Sequence, residues 1–292
     1  MDTMNRKQKQ IVFTVALLVG LLFGQTINAQ QTNTVTLRVP NFARPLVEKW
    51  VTEYQKTNNK VDFQFVSGKA QDNENSITLT TDAEAVHVAR FAVLPVTAKG
   101  SKAEELTASR RLNATKLKNL FFLDEEEEDE QPKSVKQLHI LTGNSQQSAS
   151  RLYAAHFNEE TVNYKGKKIS GDDSFLNVAV SRDPFGVTIN SLSNIFDLQT
   201  RHVRQSLAVL PLDIDKEGRQ VFANGSLDDL IRLLEQNRYE EIPVGYVSLS
   251  YDQTNAVLSD FVHWVLTEGT QYVHHYGLLG LPEKDMAMKS RD

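Results

Sequence analysis

Residues 257–282 read VLSDFVHWVLTEGTQYVHHYGLLGLP, and the periodicity of this stretch sets how the rest of the chain is read. Val257, Leu258, Phe261, Val262 and Val265 recur at helical spacing, which places them on one face of an amphipathic helix. Asn255 stands where a side-chain oxygen can cap the helix start. A Gly269-Thr270-Gln271 turn follows, then a second helix that Gly277 can end in the left-handed conformation. Helices of this kind seal a core and perform no chemistry.

The segments upstream alternate between strand and helix patterns. Val35–Val39 reads as a short strand running into Asn41-Phe42-Ala43-Arg44-Pro45, after which Leu46, Val47, Trp50, Val51 and Tyr54 repeat at helical spacing. Val61–Val66 is an alternating strand that enters the turn Ser67-Gly68, and Gln71–Ser76 reads as a polar loop. Val86–Val96, VHVARFAVLPV, suits a strand buried on both faces. Gly100–Thr107 reads as a polar break, and Asn113 as the cap of a helix carrying Leu117, Leu120 and Phe121. Further on come a strand at Gln137–Thr142, a helix after Ser148, a helix near Asp173–Ser181 and strands at Phe185–Ile189 and Leu207–Leu212. Ser226 with Asp229 resembles a capping arrangement for a helix whose inner face is Leu227, Leu230, Ile231 and Leu234, and Val244–Tyr251 is a last apolar strand. This order predicts an α/β architecture.

Composition narrows the function classes. Arg6, Lys7 and Lys9 precede an apolar run from Ile11 to Phe23 and a polar stretch ending Ile27-Asn28-Ala29, the layout of a secretory signal peptide and too short a run to span a bilayer. Cleavage after Ala29 removes one acid and three bases, which takes the net charge from −5 to about −7. The expectation is a soluble periplasmic protein, with no membrane-spanning segment once the leader is gone. The chain has no cysteine, which excludes disulfides, a lipid-modified Cys and thiolate chemistry. An acidic chain without clustered Lys and Arg also argues against nucleic acid as a partner.

Several motifs together resemble the periplasmic phosphate-binding protein family, the substrate-binding component of ABC transporters. Trp264-Val265-Leu266-Thr267 with Glu268-Gly269-Thr270-Gln271 is similar to the family's closing element, with one residue inserted before the Gln. Asn41-Phe42-Ala43-Arg44-Pro45 followed by Lys49-Trp50 resembles its first binding turn, Ser148-Ala149-Ser150-Arg151 its Ser-Gly-Thr signature, and Asp183-Pro184-Phe185-Gly186-Val187 its Asp-Pro turn and strand. The resemblance implies a two-lobed, type II-like periplasmic-binding-protein fold with two crossover strands, here Ala92–Thr97 and Val244–Ser250. Residues 30–98 plus 244–292 would form one lobe and 99–243 the other, the second carrying the acidic run 124–130.

By the same resemblance the ligand-binding residues are Asn41, Phe42, Ser67, Ser148, Ala149, Ser150 and Arg151. Helix starts at Phe42 and Ala149 would present free N–H donors and a partial positive charge to an anion, with no need of charged side chains. Asn41 also reads simply as a helix cap, Ser67-Gly68 as an ordinary turn, and Arg44 and Arg151 as surface residues. Four departures from the family pattern stand out: Asn41 replaces the hydroxyl residue of the first binding turn, Ala149 replaces the Gly, and Asn144 and Gln146 stand where the family carries an Arg and an acid.

The consecutive acids Asp124–Glu130 lack the spacing and Gly of a calcium loop, and His263, His274 and His275 have no HExxH context, so no metal or cofactor is expected. No nucleophile elbow, P-loop or dinucleotide fingerprint is present, so binding is expected and catalysis is not. The implied function is capture of a small anionic solute, phosphate or a related oxyanion, for an ABC permease. The alternative is a degenerate binding fold that serves as a sensor or envelope interaction module.

Overall fold

In the computed structural model, which describes residues 33–66, 74–81, 85–122, 135–144, 148–283 and 285, strands and helices alternate along the chain. Strand β1 (Asn33–Arg38) leads to helix α1 (Arg44–Gln55), which buries Leu46, Val47, Trp50, Val51 and Tyr54, the residues its periodicity selects. β2 (Val61–Val66), β3 (Ser76–Thr80) and the long β4 (Val86–Ala98) follow. The middle of the chain contributes α2 (Lys102–Thr107), α3 (Ala114–Phe121), β5 (His139–Thr142), α4 (Ser148–His156), β6 (Lys167–Lys168), α5 (Ser174–Ser181), β7 (Gly186–Ser191) and α6 (Leu192–Ile195). β8 (Leu207–Val209), α7 (Lys216–Asn224), α8 (Leu227–Gln236), β9 (Val244–Tyr251) and α9 (Ala256–Thr267) complete it. The leader expected over residues 1–29, Ser67 and the acidic run 124–130 lie outside the described residues.

β4 changes partners along its length. Val86–Ala92 pairs antiparallel with β9, Val93–Thr97 with β7, and Val96–Ala98 with β8. The strand order is β2-β1-β3-β9-β4-β7-β5-β6, with β8 beside β4. β1 runs parallel to β3, and β5 runs parallel to both β6 and β7. The crossover segments expected from sequence therefore fall in β4 and β9. Because β4 is covered on both faces, Val88, Phe91, Val93, Leu94 and Val96 are all buried, and the strand reads as a continuous apolar run where a half-exposed one would alternate.

Four elements differ from the sequence expectation. Ser76–Thr80, SITLT, alternates and forms β3, whereas only a polar loop was expected up to Ser76. The expected polar break at Gly100–Thr107 contains α2, which Ser101 caps by accepting from the Glu104 amide. α7 was not foreseen; Asp215 Oδ1 accepts from the Gly218 N–H at its start, and Gly225, with φ 64°, ends it. After α9 the second helix is two 3-10 turns, Gly269–Tyr272 and His274–Tyr276, the latter closed by Gly277 at φ 74°. Asn255 caps α9 as expected, accepting from the Val257 and Leu258 amides.

Two aromatic groups anchor the core. Tyr54 packs edge-on against Phe63, Phe261 and Trp264, while Phe121, Phe122, Tyr153, Phe157 and Tyr164 form a second group beside β5 and α4. Trp50 is fully buried and donates from Nε1 to the Gly269 carbonyl at 2.8 Å, tying α1 to the turn after α9. A Cβ at position 269 would lie 2.9 Å from that nitrogen, which accounts for the glycine. Arg90 donates to the Gly280 carbonyl at 2.8 Å, and Glu235 accepts from both the Gly280 amide and His274, so the last described turn is tied to β4 and α8 together. Trp50→Ala removes packing and leaves the Gly269 carbonyl without its donor, and it is expected to cost about 3–5 kcal/mol in a urea unfolding curve; a loss under about 1 kcal/mol contradicts this packing.

Candidate functional site

A cleft of about 730 Å³ opens at the carboxyl ends of β1, β2 and β3, whose last residues are Arg38, Val66 and Thr80. Open α/β sheets place ligand crevices at strand carboxyl ends because the chain turns away there and leaves room. The first wall is the β1–α1 turn, Val39 to Phe42 with Arg44. The opposite wall is the start of α4, through Ser148 and Arg151, and the turn Gly171-Asp172-Asp173 that precedes α5.

The turn at Asn41 is built from its own backbone. Ala43 N–H donates to the Pro40 carbonyl at 3.1 Å and Arg44 N–H to the Asn41 carbonyl at 3.3 Å. Helix α1 starts after Ala43 with no side-chain cap, so Asn41 is not the cap that its residue type suggests. Arg44 has given its amide to the turn and Pro45 has none, so this helix start offers an anion fewer donors than expected. Phe42 is buried with its ring 4.9 Å from that of Phe91, fixing the turn from below, while Asn41 stays exposed in the cleft. Arg44 lies over the Phe65 ring at 4.8 Å and pairs with Glu48 at 2.8 Å, which holds its guanidinium at the cleft wall.

The opposite wall differs more from expectation. Ala149 N–H, at the start of α4, donates to Asp173 Oδ2 at 3.2 Å, so this amide is held by the protein's own carboxylate. Ser150 is fully buried; its Oγ accepts from Gly143 N–H at 2.9 Å and its carbonyl from the Tyr164 hydroxyl at 2.7 Å. Ala149 and Ser150 therefore do not line the cleft, whereas Ser148 and Arg151 do, and Arg151 donates to the Thr81 hydroxyl on the facing wall. The expectation of a positive spot made by backbone amides alone is corrected here. Side-chain cations, Arg38, Arg44 and Arg151, line the cleft, and the α4 amide is already bonded.

Asp173 was not singled out from sequence. The residue is 5% exposed, and Oδ1 is buried with no hydrogen-bond partner among the described residues. Its backbone is held by Asn190, which donates to the Asp173 carbonyl at 2.8 Å. Burial pushes the carboxyl up to about 6, against the pull of the Ala149 amide, with Asp172 adding to the rise. Gly171 at φ +114° shapes the turn, and a Cβ there would lie 2.4 Å from the Phe175 ring. A second groove of about 750 Å³, carrying Lys99, Arg110, Arg111, Arg204 and Arg219, shares none of the residues expected at the site.

No family model matches the chain, and no curated protein matches it in sequence. Among solved structures, a putative phosphate ABC transporter substrate-binding protein with bound phosphate from Clostridium perfringens aligns with a TM-score of 0.58 at 12% identity, over 85% of this chain and 100% of that one. An ABC-type phosphate transport receptor from Vibrio cholerae gives 0.54 at 9% identity, over 85% and 100%. A mutant of OxyR from Corynebacterium glutamicum gives 0.51 at 11% identity, over 97% and 75%. The chain has a mixed α/β fold resembling that of type II periplasmic binding proteins. At these identities the likeness is one of fold alone. Among the described residues no helix is long and apolar enough to cross a membrane.

The raised Asp173 carboxyl gives a stability test. A buried carboxyl that prefers its proton favours the folded state below the unfolded value of about 4, and that preference is lost as pH rises through about 6. Asp173→Asn keeps the acceptor for Ala149 and removes the titration. It is expected to gain about 2–3 kcal/mol over wild type at about pH 8 and nothing at about pH 4, read by chemical denaturation at both; an equal difference at both pH values contradicts the assignment.

Proposed function

We propose that this protein is an exported receptor that captures a small anionic solute, phosphate or a related oxyanion, and delivers it to an ABC-type permease. The observation that carries the reading is the convergence of Arg38, Arg44 and Arg151, from β1, α1 and α4, on one cleft that also holds Thr78, Thr80, Thr81 and Ser148. A guanidinium fork matches the geometry of an oxyanion, and hydroxyls complete the shell by donating or accepting as needed. The likeness in fold to a structure described with bound phosphate supports the same reading. In this account residues 30–98 with 244–292 form one lobe and 99–243 the other, and rotation about β4 and β9 closes the cleft and expels water. The leader expected over residues 1–29 takes the protein to the periplasm.

A second reading, a binding fold whose solute site has decayed and which serves as a sensor or interaction module, is favoured by one observation: the α4 amide that would meet an anion already bonds Asp173. Calorimetry of the leader-cleaved protein with phosphate and sulfate separates the two. The receptor reading expects saturable binding that Ser148→Ala weakens by about 1.5–3 kcal/mol, the worth of a hydrogen bond to a charged group. No heat with either anion favours the decayed site, and strong binding unchanged by Ser148→Ala places the solute elsewhere.

A further inference from the structure

The carboxyl of Asp173 sits where the cleft and the start of α4 meet. α4 is a nine-residue helix whose N-terminal dipole attracts negative charge, and the Ala149 amide there already holds Asp173 Oδ2 at 3.2 Å. The other oxygen, Oδ1, is buried and has no hydrogen-bond partner among the described residues, in a residue that lines the cleft and is only 5% exposed. With its backbone held by Asn190, the carboxylate has little freedom to swing away from an arriving anion.

Resting on the receptor reading above, we infer that Asp173 decides what the cleft accepts: its ionised carboxylate, fixed on the α4 amide at the cleft wall, repels an arriving anion, so an oxyanion enters only together with one proton bound at the carboxyl. The proton comes from solvent and is returned to it on release. Protonated, the carboxyl is neutral, and the like-charge repulsion between carboxylate and anion disappears. The charged and titratable groups that face Asp173 are consistent with this. Asp172 on its own turn adds negative charge, Tyr164 from the segment after α4 is a neutral phenol, and Arg38, Arg44 and Arg151 line the same cleft. Burial dominates, placing the proton affinity of the carboxyl near neutrality, where it can change on binding.

The test is calorimetry of the leader-cleaved protein with sulfate, which does not titrate near neutrality, and with phosphate, at about pH 5 and about pH 8 in buffers of different ionisation heat. Sulfate is expected to bind at least about tenfold more weakly at the higher pH, with uptake of about one proton per anion. Asp173→Asn is expected to bind sulfate at the higher pH as tightly as wild type does at the lower, with no proton uptake. For phosphate, whose own protonation changes over this range, the gap between wild type and Asp173→Asn is expected to open as pH rises. Wild-type binding that is independent of pH and takes up no proton overturns the inference and leaves the receptor reading standing. Failure of both wild type and Asp173→Asn to bind either anion at either pH overturns both.

Discussion

The pairing of β4 with β9 is the constraint on which the rest of the structure depends. Val86–Ala92 is bound to β9, and from Val93 onward the same strand passes to β7 and β8, so one continuous backbone joins the part of the sheet that carries β1, β2 and β3 to the part that carries β5 and β6. A strand in that position has no solvent face, and its side chains must fill the core on both sides. The turn after α9 is fastened to the same strand, since Arg90 exchanges backbone hydrogen bonds with Leu279 at 2.9 Å in each direction. The cleft walls are the consequence: the β1–α1 turn belongs to one part and the start of α4 to the other.

Electrostatics in the cleft run on a balance between fixed cations and one awkward acid. Arg44 is steadied by Phe65 and Glu48, and Arg151 by Thr81, so the positive charge is placed and not free to roam. Asp173 opposes it from a buried position, where ionisation is costly and the backbone amides of Ala149 and Ser148 offset that cost only in part. A buried carboxylate is stable when both oxygens are satisfied, and among the described residues Oδ1 has no partner, so the group is held at a cost that protonation relieves.

Much of the fold was legible in the sequence because periodicity and capping act within a single element. The α1 face from Leu46 to Tyr54, the Asn113 and Asn255 caps and the uninterrupted apolar run of β4 each follow from local rules. β3 and α2 also carried local signals, the alternation of SITLT and the Ser101–Glu104 spacing, which the polar composition around them obscured. The site was legible in part. Asn41, Phe42, Ser148 and Arg151 come to the cleft from short motifs at helix starts, whereas Ala149 and Ser150 are fully buried, with Ser150 bonded to Gly143 and Tyr164. Arg38, the threonines at the end of β3 and Asp173 come from strand ends and a turn far apart in sequence, and their meeting depends on strand order, which no local pattern encodes.

The central claim is that an anion sits between the β1–α1 turn and the start of α4. The most direct measurement is a phosphate titration of the isotope-labelled, leader-cleaved protein followed by backbone amide NMR. The account predicts that Asn41, Arg44, Ser148, Arg151 and Asp173 shift together with one saturation curve, while amides around Arg110, Arg204 and Arg219 stay still. Shifts confined to that second groove, or none at the cleft under saturating phosphate, would contradict it.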